Sequence, residues 1–273
     1  MVPLMQPTLS IGDHLREWRR RRRMSQLDLA LEAEISQKHL SFVESGRSAP
    51  TREMVLRLSE QLDLPLRDRN LMLLAAGYAP AYPERALDDP ALGPAREVIE
   101  LILKGHEPFP ALAIDRHWTL VAANAAVPPL LTGVADPALV QPPVNVLRLS
   151  LHPNGLAPRI VNLPEWRHHL LDRLHRQITA TGDPFLIRLL NELASLPSPS
   201  VQERSNSHSY AGLAVPLRLA TDKGILSFIS TTTVFGTPLD VALSELALET
   251  FFPADSFTRG LLYPPPHLPL PRH

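Results

Sequence analysis

The stretch from Gln26 to Ser45 (QLDLALEAEISQKHLSFVES) limits what this chain can fold into more than any other. Serines at 25 and 36 each precede an apolar run at helical spacing. A serine in that place accepts a hydrogen bond from a backbone N–H that the first helical turn leaves free. Asp28, three residues after Ser25, is an acidic variant of the capping box. Leu29, Ala33, Ile35, Leu40 and Val43 recur so as to bury one face of two consecutive helices. Ala30 stands where those helices cross, a place that demands a small side chain, and Gly46 stops the second helix. Glu34 occupies the turn position that usually holds glycine, so a positive φ is predicted there, a strain on the order of 1 kcal/mol.

Around this frame the first 76 residues read as short helices. Ile11, Leu15 and Trp18 stand four and three residues apart and predict a helix over 11–23. Thr51 caps a fourth helix that carries Met54, Val55, Leu58 and Leu62 on one face, and a fifth over 66–76 ends at Gly77. Residues 1–78 are therefore expected to be an all-α five-helix domain. Residues 79–94 (APAYPERALDDPALGP) are Pro-rich and polar and read as a linker.

Beyond the linker the period changes. A helix is expected at Ala95–Lys104, strands at Ala111–Asp115 and Trp118–Ala123, and a short helix at Asn124–Leu131. Glu165–Thr181 and Phe185–Leu196 have helical spacing. Tyr210–Ala220 and Ile225–Phe235 alternate as strands joined by a turn at Thr221–Gly224, and Leu239–Phe251 reads as a last helix. Residues 95–262 are thus an α+β domain, a small antiparallel sheet with helices on it, and the chain is multidomain. Residues 263–273 (YPPPHLPLPRH) form a Pro-rich tail expected to be extended.

A hydrophobic fraction of 44% in 273 residues is ample for buried cores. With no cysteine there is neither a disulfide nor a thiolate ligand. A net charge of −1 argues against a protein that coats nucleic acid indiscriminately, although residues 1–60 hold ten basic and eight acidic side chains. The opening residues lack the pattern of a secretory signal, and no stretch approaches the ~18 apolar residues of a membrane span. The expectation is a cytoplasmic protein without a membrane partner.

In a paired-helix frame of this kind the second helix enters the major groove of DNA through its first residues, here Ser36, Gln37, Lys38, His39 and Ser41. Glutamine pairs with adenine through two bonds, and lysine donates to guanine. Gln26 opens the first helix of the pair within reach of a phosphate, and Arg47 and Arg52 flank the second. The competing reading is a helical bundle whose polar ends face water. The caps, the small residue at the crossing and the polar N-terminus of the third helix together favour DNA. Arg19–Arg23 circles its helix, so only some of these arginines face any one partner.

The segment SQLDLALEAEISQKHLSFVESGRSAPTREMVLRLSEQLDLPLRDRNLMLLAAGYAPAY resembles the Xre family of helix-turn-helix proteins and, more narrowly, the MmyB-like transcription regulators. FPALAIDRHWTLVAAN, NVLRLSLHPNGLAPRIVNLPEW and the Tyr210–Phe235 hairpin resemble that family's second domain, so the resemblance spans residues 11–260. It implies a PAS-like ligand-binding domain, a homodimer on a double-stranded operator, and a long-chain apolar ligand such as a fatty acid, with no other cofactor. The family's "WN" in the second strand is Ala123-Asn124 here.

A sheet roofed by helices leaves room for an apolar pocket. Phe109, Leu112, Ile114, Leu147, Leu149, Leu170, Leu174, Leu213, Val215, Phe228 and Ile229 are candidates to line it, against ordinary core packing as the alternative. Arg148 and His152, with Asn145 close by, are candidates to grip a carboxylate at the rim. His168, Asp172 and His175 share one helical face, which opens the alternative of a metal-dependent hydrolase. Arg167, Arg173 and Arg176 crowd that face and favour a solvated surface. His208 with Ser205, Ser207 and Ser209 lacks a G-x-S-x-G elbow, and the chain has no Gly-rich phosphate loop. The expectation is a ligand-responsive regulator and not an enzyme. A repressor whose second domain only dimerises remains the third reading.

Overall fold

A computed structural model describes residues 9–197 and 214–263, and the chain divides into two compact units. The first comprises the chain up to Asp89 together with Gly236–Ser244. Its helices are α1 (Ile11–Arg21), α2 (Gln26–Glu32), α3 (Gln37–Glu44), α4 (Arg52–Gln61) and α5 (Leu66–Ala75). Ser10 and Ser25 close capping boxes with Asp13 and Asp28, while Ser36 and Thr51 accept from the N–H groups of His39 and Met54. Helix α1 stops two residues before the expected limit, because Arg23 turns to φ 56°. Glu34 adopts φ 54°, so the turn between α2 and α3 takes its left-handed residue without a glycine.

Leu15, Trp18, Leu29, Ala30, Leu40, Val43, Leu58 and Met72 close into the core of this unit. Gly12 lets α1 approach α3: a Cβ there would stand 2.3 Å from the carbonyl oxygen of Glu44. The stretch expected to be a linker is partly fastened to the unit. Asn70 accepts from the N–H groups of Ala81 at 2.9 Å and Tyr82 at 3.1 Å, and donates to the Tyr82 carbonyl at 2.7 Å. The N–H of Val241 donates to the Pro83 carbonyl at 2.9 Å, and Arg85 pairs with Asp240 at 3.2 Å, which ties Gly236–Ser244 into the same unit.

The second unit holds Pro90–Phe235 and the chain from Glu245 onward. In order come α6 (Gly93–Gly105), β1 (Ala111–Ile114), β2 (Leu120–Ala123), α7 (Val146–Leu151), α8 (Leu163–Thr181), α9 (Pro184–Ser195), β3 (Leu217–Thr221) and β4 (Gly224–Val234). The helical turn α10 (Val241–Ser244), which belongs to the first unit, precedes β5 (Ala247–Pro253) and α11 (Ser256–Leu262). The five strands make one sheet in the order β2-β1-β5-β4-β3, every neighbouring pair antiparallel. The strand latest in sequence therefore lies at the centre, between β1 and β4.

That centre corrects the sequence reading. Of Leu239–Phe251, expected as one helix, only Val241–Ser244 is helical, and β5 takes over from Ala247. Leu248 and Glu249 are adjacent and both buried, so β5 is covered on both faces. Such a strand loses its two-residue period and imitates a helix stripe. Strand β2 begins at Leu120 and not at Trp118, which takes φ 66° and turns its ring into the core. Asn124–Leu131 is helical only as a 3-10 turn over Pro128–Leu131. Strand β3 starts at Leu217; Ala214–Pro216 are not strand, and residues 210–213 lie outside the described residues, as does the tail from 264. Helices α7 and α11 were not foreseen. Both are short, and each is set by an Asx cap, Asn145 and Asp255.

Candidate nucleic-acid interface and apolar cavity

The first turn of α3 presents Ser36, Gln37 and Lys38 to solvent, with His39 and Ser41 half-buried behind them. The backbone N–H groups of a first turn have no partner within the helix; here Ser36 Oγ takes that of His39 at 3.1 Å. Phe42, a residue the sequence reading passed over, gathers two cations: Lys38 Nζ lies 5.7 Å and Arg47 Cζ 5.9 Å from its ring. Its carbonyl also accepts from the N–H groups of Arg47 at 2.8 Å and Ser48 at 3.2 Å. Arg47 and Arg52 are both exposed.

Behind this surface a buried ion pair braces the helices. Arg19 Nε and Nη2 donate to the two carboxylate oxygens of Glu44 at 2.7 and 3.0 Å. Gln26 Nε2 donates to the same carboxylate at 2.8 Å, so the amide expected at a phosphate is engaged at its nitrogen with the end of α3. Burial pushes the Glu44 carboxyl up. The hydrogen bonds from Arg19 and Gln26, with the charges of Arg19 and Arg16, outweigh it and hold the group below its ordinary value. Arg22 donates to the carbonyls of Leu62 and Asp63 at 2.8 and 2.6 Å. Two of the five consecutive arginines thus secure the fold, Arg21 pairs with Glu17 at 2.6 Å, and Arg20 and Arg23 stay exposed.

In the sheet unit an apolar cavity of about 120 Å³ lies between β-strands and the helices α7 and α8. Leu112, Leu147, Leu149, Leu170 and Phe228 line it, together with Trp118, Leu130, Trp166, Leu217 and Phe251. Among the described residues Arg173 and Glu249 are the charged ones in the lining, and they form an ion pair. Arg173 Nη2 also donates to Thr232 Oγ1 at 2.9 Å, Thr232 donates to Glu249 at 2.9 Å, and the guanidinium lies 4.6 Å over the ring of Trp118. Trp118 Nε1 donates to Gln177 at 2.8 Å and Trp166 Nε1 to Ser150 at 3.0 Å, so both indoles are fixed. His169 stacks on Trp166 at 5.5 Å, and burial, then Arg173 and Arg176, hold it below its ordinary value against the opposing pull of Asp172 and Glu249.

Other candidate residues stand elsewhere. Arg148 faces outward and grips Glu192 through two bonds of 2.7 Å, away from the cavity lining. Asn145 caps α7 and donates to the His117 carbonyl at 2.8 Å, while His152 Nδ1 accepts from the Asn154 N–H. Leu174, one turn beyond Leu170, is sealed in the core, as is Ile114 after the register shift in β1. Ile229 falls on the opposite face of β4 from Phe228, because side chains alternate along a strand. Val215 packs at the edge of the core, Phe109 touches His106, and neither lines the cavity. Leu213 lies outside the described residues, with Ser205, Ser207, His208 and Ser209. His168, Asp172 and His175 are exposed, Asp172 is paired with Arg176, and no three metal-binding side chains converge among the described residues.

Arg173 was legible in one respect: Trp166, Leu170 and Arg173 follow at four and three residues, an arginine on the apolar stripe of α8. Its partner Glu249 was hidden by the misread central strand. Among the described residues no helix is long and apolar enough to cross a membrane.

Comparison with known proteins meets both units. Residues 95–262 match the family model of the MmyB-like transcription regulator ligand binding domain, and residues 15–68 match a helix-turn-helix model. A "Putative HTH-type transcriptional regulatory protein" of Methanoculleus marisnigri is 36% identical over 116 residues, which cover 41% of this chain and 37% of that protein.

Proposed function

This chain belongs to the MmyB-like transcription regulators, and we propose that it reads an operator with α3 while its second domain answers to an apolar chain molecule of the fatty-acid type. Gln37 and Lys38 carry this reading, exposed on the first turn of a helix whose far end is locked by the buried Arg19–Glu44 pair. A braced helix with free polar tips loses little conformational freedom when it enters a groove. Working as a homodimer on a pseudo-palindromic site, two such helices enter successive major grooves about 34 Å apart. Ser36, His39, Ser41, Arg47 and Arg52 surround the tips and serve phosphates or neighbouring bases, while Gln26 holds the end of α3 through Glu44. The work is done in the cytoplasm, beside the DNA, and needs no catalytic step.

The cavity supports the sensing half of the reading, since its walls are hydrocarbon and aromatic with Ser150, Arg173, Ser230 and Glu249 among them. The ligand changes DNA binding only to the extent that it binds one arrangement of the protein better than another. Binding measured by fluorescence anisotropy on operator and scrambled duplexes tests the DNA half. Gln37→Ala and Lys38→Ala should each weaken operator binding by about 1–3 kcal/mol and relax base preference. Arg47→Ala should weaken both duplexes alike and lower the salt slope by about 1. Unchanged selectivity in both tip variants defeats the proposal. For the sensing half, solvent extraction of the purified protein should release a chain lipid, and an added chain lipid should raise the melting temperature.

A further inference from the structure

The charged side chains that line the cavity are equal and opposite. Glu249 is 5% exposed and pairs with Arg173, so the guanidinium is already neutralised where a carboxylate head would look for it. A ligand carboxylate brought there would stand beside the Glu249 carboxylate in apolar surroundings, an uncompensated negative charge out of water. The other cation first expected to serve such a head, Arg148, is held by Glu192 outside the cavity. Two neutral donors remain. Ser150 Oγ accepts from Trp166 and its own O–H has no acceptor among the described residues, and the hydroxyl of Ser230, also in the lining, has no partner among them.

Resting on the reading of the cavity as a ligand site, we propose that it selects a chain molecule with an uncharged oxygen-bearing head, an ester or an alcohol, over an ionised fatty acid. Its carbonyl or hydroxyl oxygen accepts from Ser150 or Ser230, and the Arg173–Glu249 pair excludes an anion. Glu249 is then the specificity-determining residue, because it cancels the charge that would welcome a carboxylate.

The test titrates the full-length protein with methyl decanoate, 1-decanol and sodium decanoate at pH 8, following the fluorescence of Trp118 and Trp166 in the cavity wall. The ester and the alcohol should bind at least tenfold more tightly than decanoate. In Glu249→Gln the uncancelled Arg173 should bring decanoate to within threefold of the ester or ahead of it. Decanoate binding as well as or better than the ester in the native protein overturns the proposal, as does a folded Glu249→Gln variant with an unaltered preference. If none of the three binds, the ligand-site reading falls with it, an outcome distinct from a reversed preference.

Discussion

The two units bury apolar side chains in different ways. In the helical unit Leu15, Leu29, Leu40, Leu58 and Leu62 are wholly buried against one another. The sheet unit leaves Leu112, Leu130 and Leu217 half-buried around open space. Each unit also buries a carboxylate on an arginine, but to different effect. Glu44–Arg19 joins two helices behind an exposed helix tip, whereas Glu249–Arg173 lines a chamber. A close-packed core resists deformation and holds a recognition helix in one pose, while a core with room in it has a place for a guest.

The largest effect should come from Glu44→Ala, which leaves Arg19 charged, buried and uncompensated. The unfolding free energy of the helical unit should fall by about 3–5 kcal/mol. Urea titration followed by Trp18, with Trp118 and Trp166 replaced by Phe, measures it, and a loss below about 1 kcal/mol would deny the pair its bracing role. Overpacking tests the contrast in cores directly. Leu40→Phe, in the filled core, should cost about 1–3 kcal/mol, whereas Leu112→Phe, beside the cavity, should cost less than about 1.5 kcal/mol and weaken chain-lipid binding. Equal losses in the two variants would erase the distinction.

Acid should separate the units by the smallest effect. His169 has a folded pKa below its ordinary 6.5, so the unfolded chain takes up its proton first; this contribution is complete above 6.5 and is lost as pH falls through the folded value. Glu44 is also depressed, from 4.5, so its contribution is present above 4.5 and lost only in more acid solution. Hydrogen exchange across an acid titration should show α8 weakening before α3, and His169→Gln should delay the loss in α8. Simultaneous weakening would contradict this assignment.

The fold class and the helix starts of the first unit were readable because capping acts within three or four residues. Ser25, Ser36 and Thr51 announce their helices whatever lies around them, and Glu34 marks its turn. The cavity was readable only in its hydrocarbon, since a leucine that lines a hollow and one that fills a core look alike in sequence. Leu170 and Leu174, one turn apart on α8, have those two fates.

By itself, then, the sequence determined the local chemistry: where helices begin, which turns take a positive φ, and which tips of α3 are polar. Tertiary structure alone decided which charges meet. Arg148 found Glu192 and Arg173 found Glu249, 44 and 76 residues away, so one arginine was turned outward and the other set at the cavity. It also made β5 a strand, since a segment covered on both faces is told from a helix only by the neighbours β1 and β4 that take up its backbone hydrogen bonds.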